Sequence, residues 1–129
     1  MRTEVKSGKT IYAIIFDLSS LKEGTFPVTD PKWPLQLLLM KRKRGHVVTK
    51  HMHKKILKSS RHPQEAIVVI KGDIEASIFD RKGVFIAKKK VGAGECILIV
   101  EGAHEVKITK DALVYAFKDG PYKDDKIPL

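Results

Sequence analysis

Apolar positions along this chain fall in short runs, and no stretch sustains the 3.6-residue period of a long amphipathic helix. The runs are Thr10 to Phe16, Leu35 to Lys41, His46 to His53, Ala66 to Ile70, Ile74 to Phe79, Val84 to Lys88, Cys96 to Val100, Val106 to Ile108 and Ala112 to Phe117. They are rich in β-branched or aromatic residues and are separated by turn signals, so each is predicted to be a strand. Short strands at this spacing indicate an all-β sandwich or barrel. Asp80-Arg81-Lys82-Gly83 predicts a hairpin turn, because its glycine can take the left-handed conformation that closes such loops. Pro27, Pro31 and Pro34 break the region around Trp33 into irregular structure.

Parity within the strands adds to their number. If Glu65 faces the interior of a barrel, so do Ile67 and Val69, and Ala66, Val68 and Ile70 face outward. That outward face is also apolar, whereas a sheet with one solvated face alternates apolar with polar residues. Something must cover it: a second sheet, the N-terminal segment or a partner subunit.

The chain has 129 residues, the size of one ordinary domain, enough to bury about two thirds of the surface of its unfolded form. We expect a single domain over residues 1–129, with 1–34 as an N-terminal strand and irregular extension and 35–118 as the barrel core. The single cysteine, Cys96, has no partner for an internal disulfide, and its place within an apolar run marks it as a packing residue rather than a nucleophile. There is no signal peptide and no apolar span of about 20 residues, so a cytoplasmic location is expected and no membrane partner.

A formal charge of +10 opens the question of nucleic acid. The chain has no zinc-finger spacing or helix-turn-helix pattern, and its aromatic residues are not interleaved with the basic runs, so nucleic acid is not the expected partner. The runs Lys41 to Arg44 and Lys88 to Lys90 read as solvated surface. The group Lys54, Lys55, Lys58 and Arg61 directly follows His53, and these cations are candidates for orienting an anionic substrate.

Three histidines and a glutamate carry the most specific chemistry. In an extended strand His51 and His53 point to the same face, so both imidazoles can reach one point. Glu65 opens one buried run and His104 follows another after the turn Glu101-Gly102-Ala103. Three nitrogens and one carboxylate oxygen suit a divalent transition metal such as Zn, Fe, Mn or Ni and leave positions for water or substrate. His46 and His62 read as peripheral.

These residues resemble the two motifs of the cupin superfamily. Gly45, His51, His53, Glu65 and Gly72 occupy the places of the first motif, with a spacer from His53 to Glu65 longer than usual. Gly94, Val100, Gly102 and His104 occupy those of the second, with Val in place of Pro, one residue fewer before the His, and no Asn. The resemblance covers roughly residues 35 to 118, and the closing Gly120-Pro121-Tyr122 is similar to small cupins of bacterial sugar and polysaccharide gene sets. It implies a double-stranded β-helix (jelly-roll) barrel, a metal held by His51, His53, Glu65 and His104, and a homodimer. It further implies an isomerase or epimerase acting on a small sugar or sugar-nucleotide-like molecule, and the cations that follow His53 make Lys54, Lys58 and Arg61 the expected substrate-binding residues for an anionic one. The alternatives are an Fe(II)-dependent dioxygenase and a non-enzymatic sugar- or anion-binding module. Glu95 lies where cupins often carry Asp in a turn or rim role, and Tyr115 with Phe117 share a strand face that lines the cavity or packs in the core.

Overall fold

Cys96–Ile99 has no polar residue on either face, which fits a strand covered on both sides. In the computed structural model, which describes all residues from Met1 to Leu129, it is the seventh of eight strands. The others are β1 (Arg2–Ser7), β2 (Thr10–Phe16), β3 (Gly24–Pro27), β4 (Leu38–Lys41), β5 (Glu65–Phe79), β6 (Phe85–Gly92) and β8 (Ala103–Lys118), with Cys96–Ile99 as β7. The protein is all-β, and no helix is long and apolar enough to cross a membrane.

Six strands form one antiparallel sheet in the order β1-β2-β7-β5-β6, with β8 on the other edge of β5, and the sheet curls into a half-barrel. β3 and β4 make a separate two-stranded sheet. Val5 of β1 and Val91 of β6 lie on strands at opposite ends of the sheet path, yet they share one buried cluster with Ala13, Ile15, Ile67, Val69, Ile74, Ile97 and Ile99. This cluster fills the concave side. The alternate residues Ile14, Phe16, Ala66, Cys96, Leu98 and Val100 form a second cluster on the opposite face. Trp33, Leu35, Leu37 and Leu39 cover that second cluster. The predicted parity of β5 is therefore seen, and the cover over Ala66 and Val68 comes from this chain's own residues rather than from a partner. Ile70, farther along the same face, remains 52% exposed.

Two strands are longer than their apolar runs suggest. β5 joins Ala66 to Ile70 with Ile74 to Phe79 and turns a corner between them: its first residues pair with β7 and its later ones with β6, while β8 follows it on the other edge. Gly72 makes the corner possible. Its φ is +83°, and a Cβ there would collide with the Asp111 carbonyl oxygen, so a bulge takes the place expected for a strand break. β8 likewise joins Val106 to Ile108 with Ala112 to Phe117 across the same irregularity. The turn at Asp80 forms as predicted, with Gly83 at φ +81° and the Asp80 carboxylate accepting from the Lys82 and Val84 amides at 2.8 and 2.9 Å.

The expected strand His46 to His53 is not formed. Residues 46–60 belong to no strand and are exposed throughout. Val47, Val48 and Thr49 favour extended backbone, but a strand gains its stability from a neighbouring ladder and from a covered face, and this segment has neither. β1, which the apolar pattern does not reveal, forms because its polar sequence buries only Val5 on the edge of β2.

Candidate functional site

The curl of the sheet brings together side chains that are far apart along its ladders. Glu65 pairs with Lys118 at one end of the β5–β8 ladder and His104 with Ile78 at the other. Nevertheless His104 Nε2 lies 3.4 Å from Glu65 Oε2, with the two side chains 31% and 20% exposed. Glu65 has the parity of Ile67 and Val69, so the pair belongs to the concave side. The His104 imidazole beside it holds the Glu65 carboxyl below its ordinary value against the opposing effect of burial, with smaller contributions from the charges of Lys118 and Lys126. A partly buried carboxylate against an imidazole is an arrangement suited to holding and moving a proton.

The other two expected metal ligands lie elsewhere. His51 and His53 sit on the exposed segment outside the sheet, with their rings edge to face at a centroid distance of 5.0 Å and the Nδ1 of His51 2.7 Å from the Thr49 carbonyl oxygen. Their proximity is that of near neighbours in sequence and owes nothing to strand alternation. No group of three or more His, Cys, Asp or Glu side chains is placed to hold a metal ion. Glu65 and His104 supply one oxygen and one nitrogen, so the donors as arranged do not fit an ion needing four protein ligands. Lys54, Lys58 and Arg61 are exposed on the same segment as the two histidines, and none of them is in an ion pair.

A second polar cluster lies at the turn that follows β7. Glu101, 17% exposed at its side chain, accepts from Arg81 Nε at 2.7 Å and from the Gly102 amide at 2.9 Å, and its other oxygen is 3.4 Å from His62 Nδ1. His62 is thus held against the sheet rather than free in the loop. Arg81, Glu101 and Gln64 were not marked by sequence. Glu101 reads as one residue of a turn and Arg81 as one of another, and only the curl of β5 and β8 makes them neighbours. Gln64 directly precedes Glu65 at the start of β5, and this is the only signal its position carries. It is 4% exposed, its backbone N–H donates to Asp119 Oδ1 at 2.7 Å, and its side-chain Oε1 has no hydrogen-bond partner.

Cys96 is 8% exposed, and burial pushes its thiol up to about 11, which keeps it protonated and unreactive near neutral pH. No protein-family model, curated protein or solved structure matches the chain.

Proposed function

We propose that this chain is a cupin of the double-stranded β-helix type and works as an isomerase or epimerase on a small sugar derivative, with Glu65 and His104 as its proton-handling pair. The observation that supports this reading is the meeting of Glu65 and His104 at 3.4 Å from opposite ends of one ladder, since a partly buried carboxylate and imidazole are otherwise costly to bring together. With Nε2 turned to Glu65, Nδ1 is the ring nitrogen left for a substrate. It can take a proton from the carbon beside a carbonyl and return it to the same or the neighbouring carbon, while the carboxylate stabilises the charged ring formed in between. The Lys54, Lys58 and Arg61 cations would hold the charged end of an anionic substrate if the loop folds over the pair. A divalent transition metal belongs to this reading only with His51 and His53 carried to Glu65 and His104.

Proton exchange tests it. Keto-sugars and their phosphates incubated with the protein in deuterated water should acquire deuterium beside the carbonyl, and His104→Asn and Glu65→Gln should each reduce the rate by roughly a hundredfold or more. Exchange at the wild-type rate in both variants would remove the pair from the chemistry.

A further inference from the structure

A cavity of about 270 Å³ opens on the face of the sheet opposite to the Glu65–His104 pair. Ile11 and Val100 form its apolar floor, Trp33 one wall, and His62, Gln64 and Glu101 supply polar groups. Val100 belongs to the outer buried cluster, against which Ile11 and Trp33 pack, so the cavity lies on the convex side of the sheet. Adjacent residues in a strand project to opposite sides, and the succession Gln64-Glu65 divides the two sites.

Gln64 is the observation that marks this cavity out. The residue is 4% exposed and lines the cavity, and its Oε1 lies beneath the cavity surface without a hydrogen-bond partner. A buried acceptor without a donor costs about 1–3 kcal/mol, so such a group is retained where something else supplies the donor. The neighbouring Glu101 is a second acceptor, tied in place by Arg81 and His62. A ligand for this site therefore needs an apolar flat face for the indole and several hydrogen-bond donors around its edge. It must also be small, because the volume lies just below the range of about 300–1,000 Å³ typical of small-molecule sites.

We propose that this cavity binds a single monosaccharide ring, with the C–H face of the ring on Trp33 and hydroxyl groups donating to Glu101 and to Gln64 Oε1, which turns from beneath the cavity surface about the end of its side chain to meet them. The site is separate from the proton-handling pair and does not depend on it. A sugar ring meets each requirement at once: its hydroxyls are donors as well as acceptors, and its axial hydrogens give one face an apolar character. A nucleobase would also stack on the indole, but its donors lie at few and fixed edge positions and leave one of the two carboxyl or amide acceptors without a partner.

The chain has one tryptophan, so its emission reports on this cavity alone. Titration of the full chain with a panel of neutral hexoses should shift and change Trp33 emission with saturation in the millimolar range for at least one of them, and nucleosides should give no such response. Gln64→Leu should weaken the response by roughly tenfold while keeping or raising the melting temperature, since it removes an orphan acceptor from apolar surroundings. If that variant does not fold, His62→Ala, whose side chain is 58% exposed, serves instead with a loss in the same direction. Glu65→Gln should leave the response unchanged, which separates this site from the proposed chemistry. No response to any hexose, a response to nucleosides alone, or an undiminished response in the folded Gln64 or His62 variant overturns the proposal.

Discussion

Glu65 and His104 meet at 3.4 Å although the ladder that carries them places them at its two ends, Glu65 opposite Lys118 and His104 opposite Ile78. A flat sheet would keep them many residues apart. Their contact is a direct measure of how far β5 and β8 coil together, and any change that straightens the coil separates them.

Gly72 is where that coil is most exposed to substitution. Gly72→Ala puts a Cβ into the Asp111 carbonyl oxygen and forces φ +83° on a residue that disfavours it. The expected loss of stability is about 2 kcal/mol or more, most of it from the backbone collision. Urea unfolding of the variant should show a lower midpoint, and the Glu65-dependent proton exchange should fall with it. An unchanged midpoint would mean that the bulge relaxes at little cost.

The high value for Cys96 gives a dependence on alkaline pH. The folded thiol titrates near 11 and the unfolded one near 9.0, so the unfolded state loses its proton first. The contribution is fully present below pH 9 and is lost as pH rises toward 11, with a slope of about 1.4 kcal/mol per pH unit in that window. Stability measured from pH 8 to 11 should fall more steeply in the wild type than in Cys96→Val. Parallel curves would show that the thiol is less buried in solution than 8% exposure implies.

Metal content tests the expected ligand set. If His51 and His53 are carried to Glu65 and His104 in solution, protein purified without chelators carries stoichiometric divalent metal, and replacing His51 and His104 together by Ala should abolish it, because the remaining Glu65 and His53 cannot hold an ion alone. Elemental analysis of both proteins decides the matter. A folded double variant that keeps its metal would show that these histidines are not the ligands.

Homodimer formation is expected on only part of the face that sequence parity suggested, joined by residues of β8. Ala66 and Val68 are covered from within the chain, but Ile70, Leu113, Tyr115 and Phe117 remain 52%, 62%, 63% and 53% exposed beside the open edge of β8. Apolar residues gathered along an unpaired strand edge favour association. Light scattering should give the mass of a dimer in the micromolar range, and Tyr115→Lys with Phe117→Lys should raise the dissociation constant at least about tenfold. A wild-type mass that stays at one chain throughout that range would refute it.

The legible parts of the fold are those whose signal is local. Ile97 and Leu98, buried on opposite faces of one short apolar run, announce a covered strand without knowledge of its neighbours, and Asp80 to Gly83 announces its own turn. His46 to His53 has the composition of a strand but depends on a partner ladder that the structure does not give it, and composition cannot supply a partner. Ala66 to Ile70 and Ile74 to Phe79 read as two strands, because a bulge and a break both place a glycine such as Gly72 between apolar runs. Of the candidate site, Glu65 and His104 were legible as residues, though the reason for their meeting was not. Trp33, Gln64 and Glu101 gain their chemistry only from packing between segments distant in sequence, and no short-range pattern encodes that.

The order of strand pairing has a consequence for how the chain reaches this state. Ala13 on β2 has no main-chain partner on β7 until Ile99 has been made, and β5 must wait for β8, whose last paired residue is Lys118. The three ladders other than the β1–β2, β3–β4 and β5–β6 hairpins close between distant parts of the chain, which makes folding slow by the measure of loop entropy. During synthesis the apolar runs of β2 and β5 therefore emerge well before their partners. The dense lysine and arginine around them, including Lys41 to Arg44 and Lys54 to Lys58, give every such chain the same sign of charge, and that mutual repulsion opposes association through strands that still await their own partners.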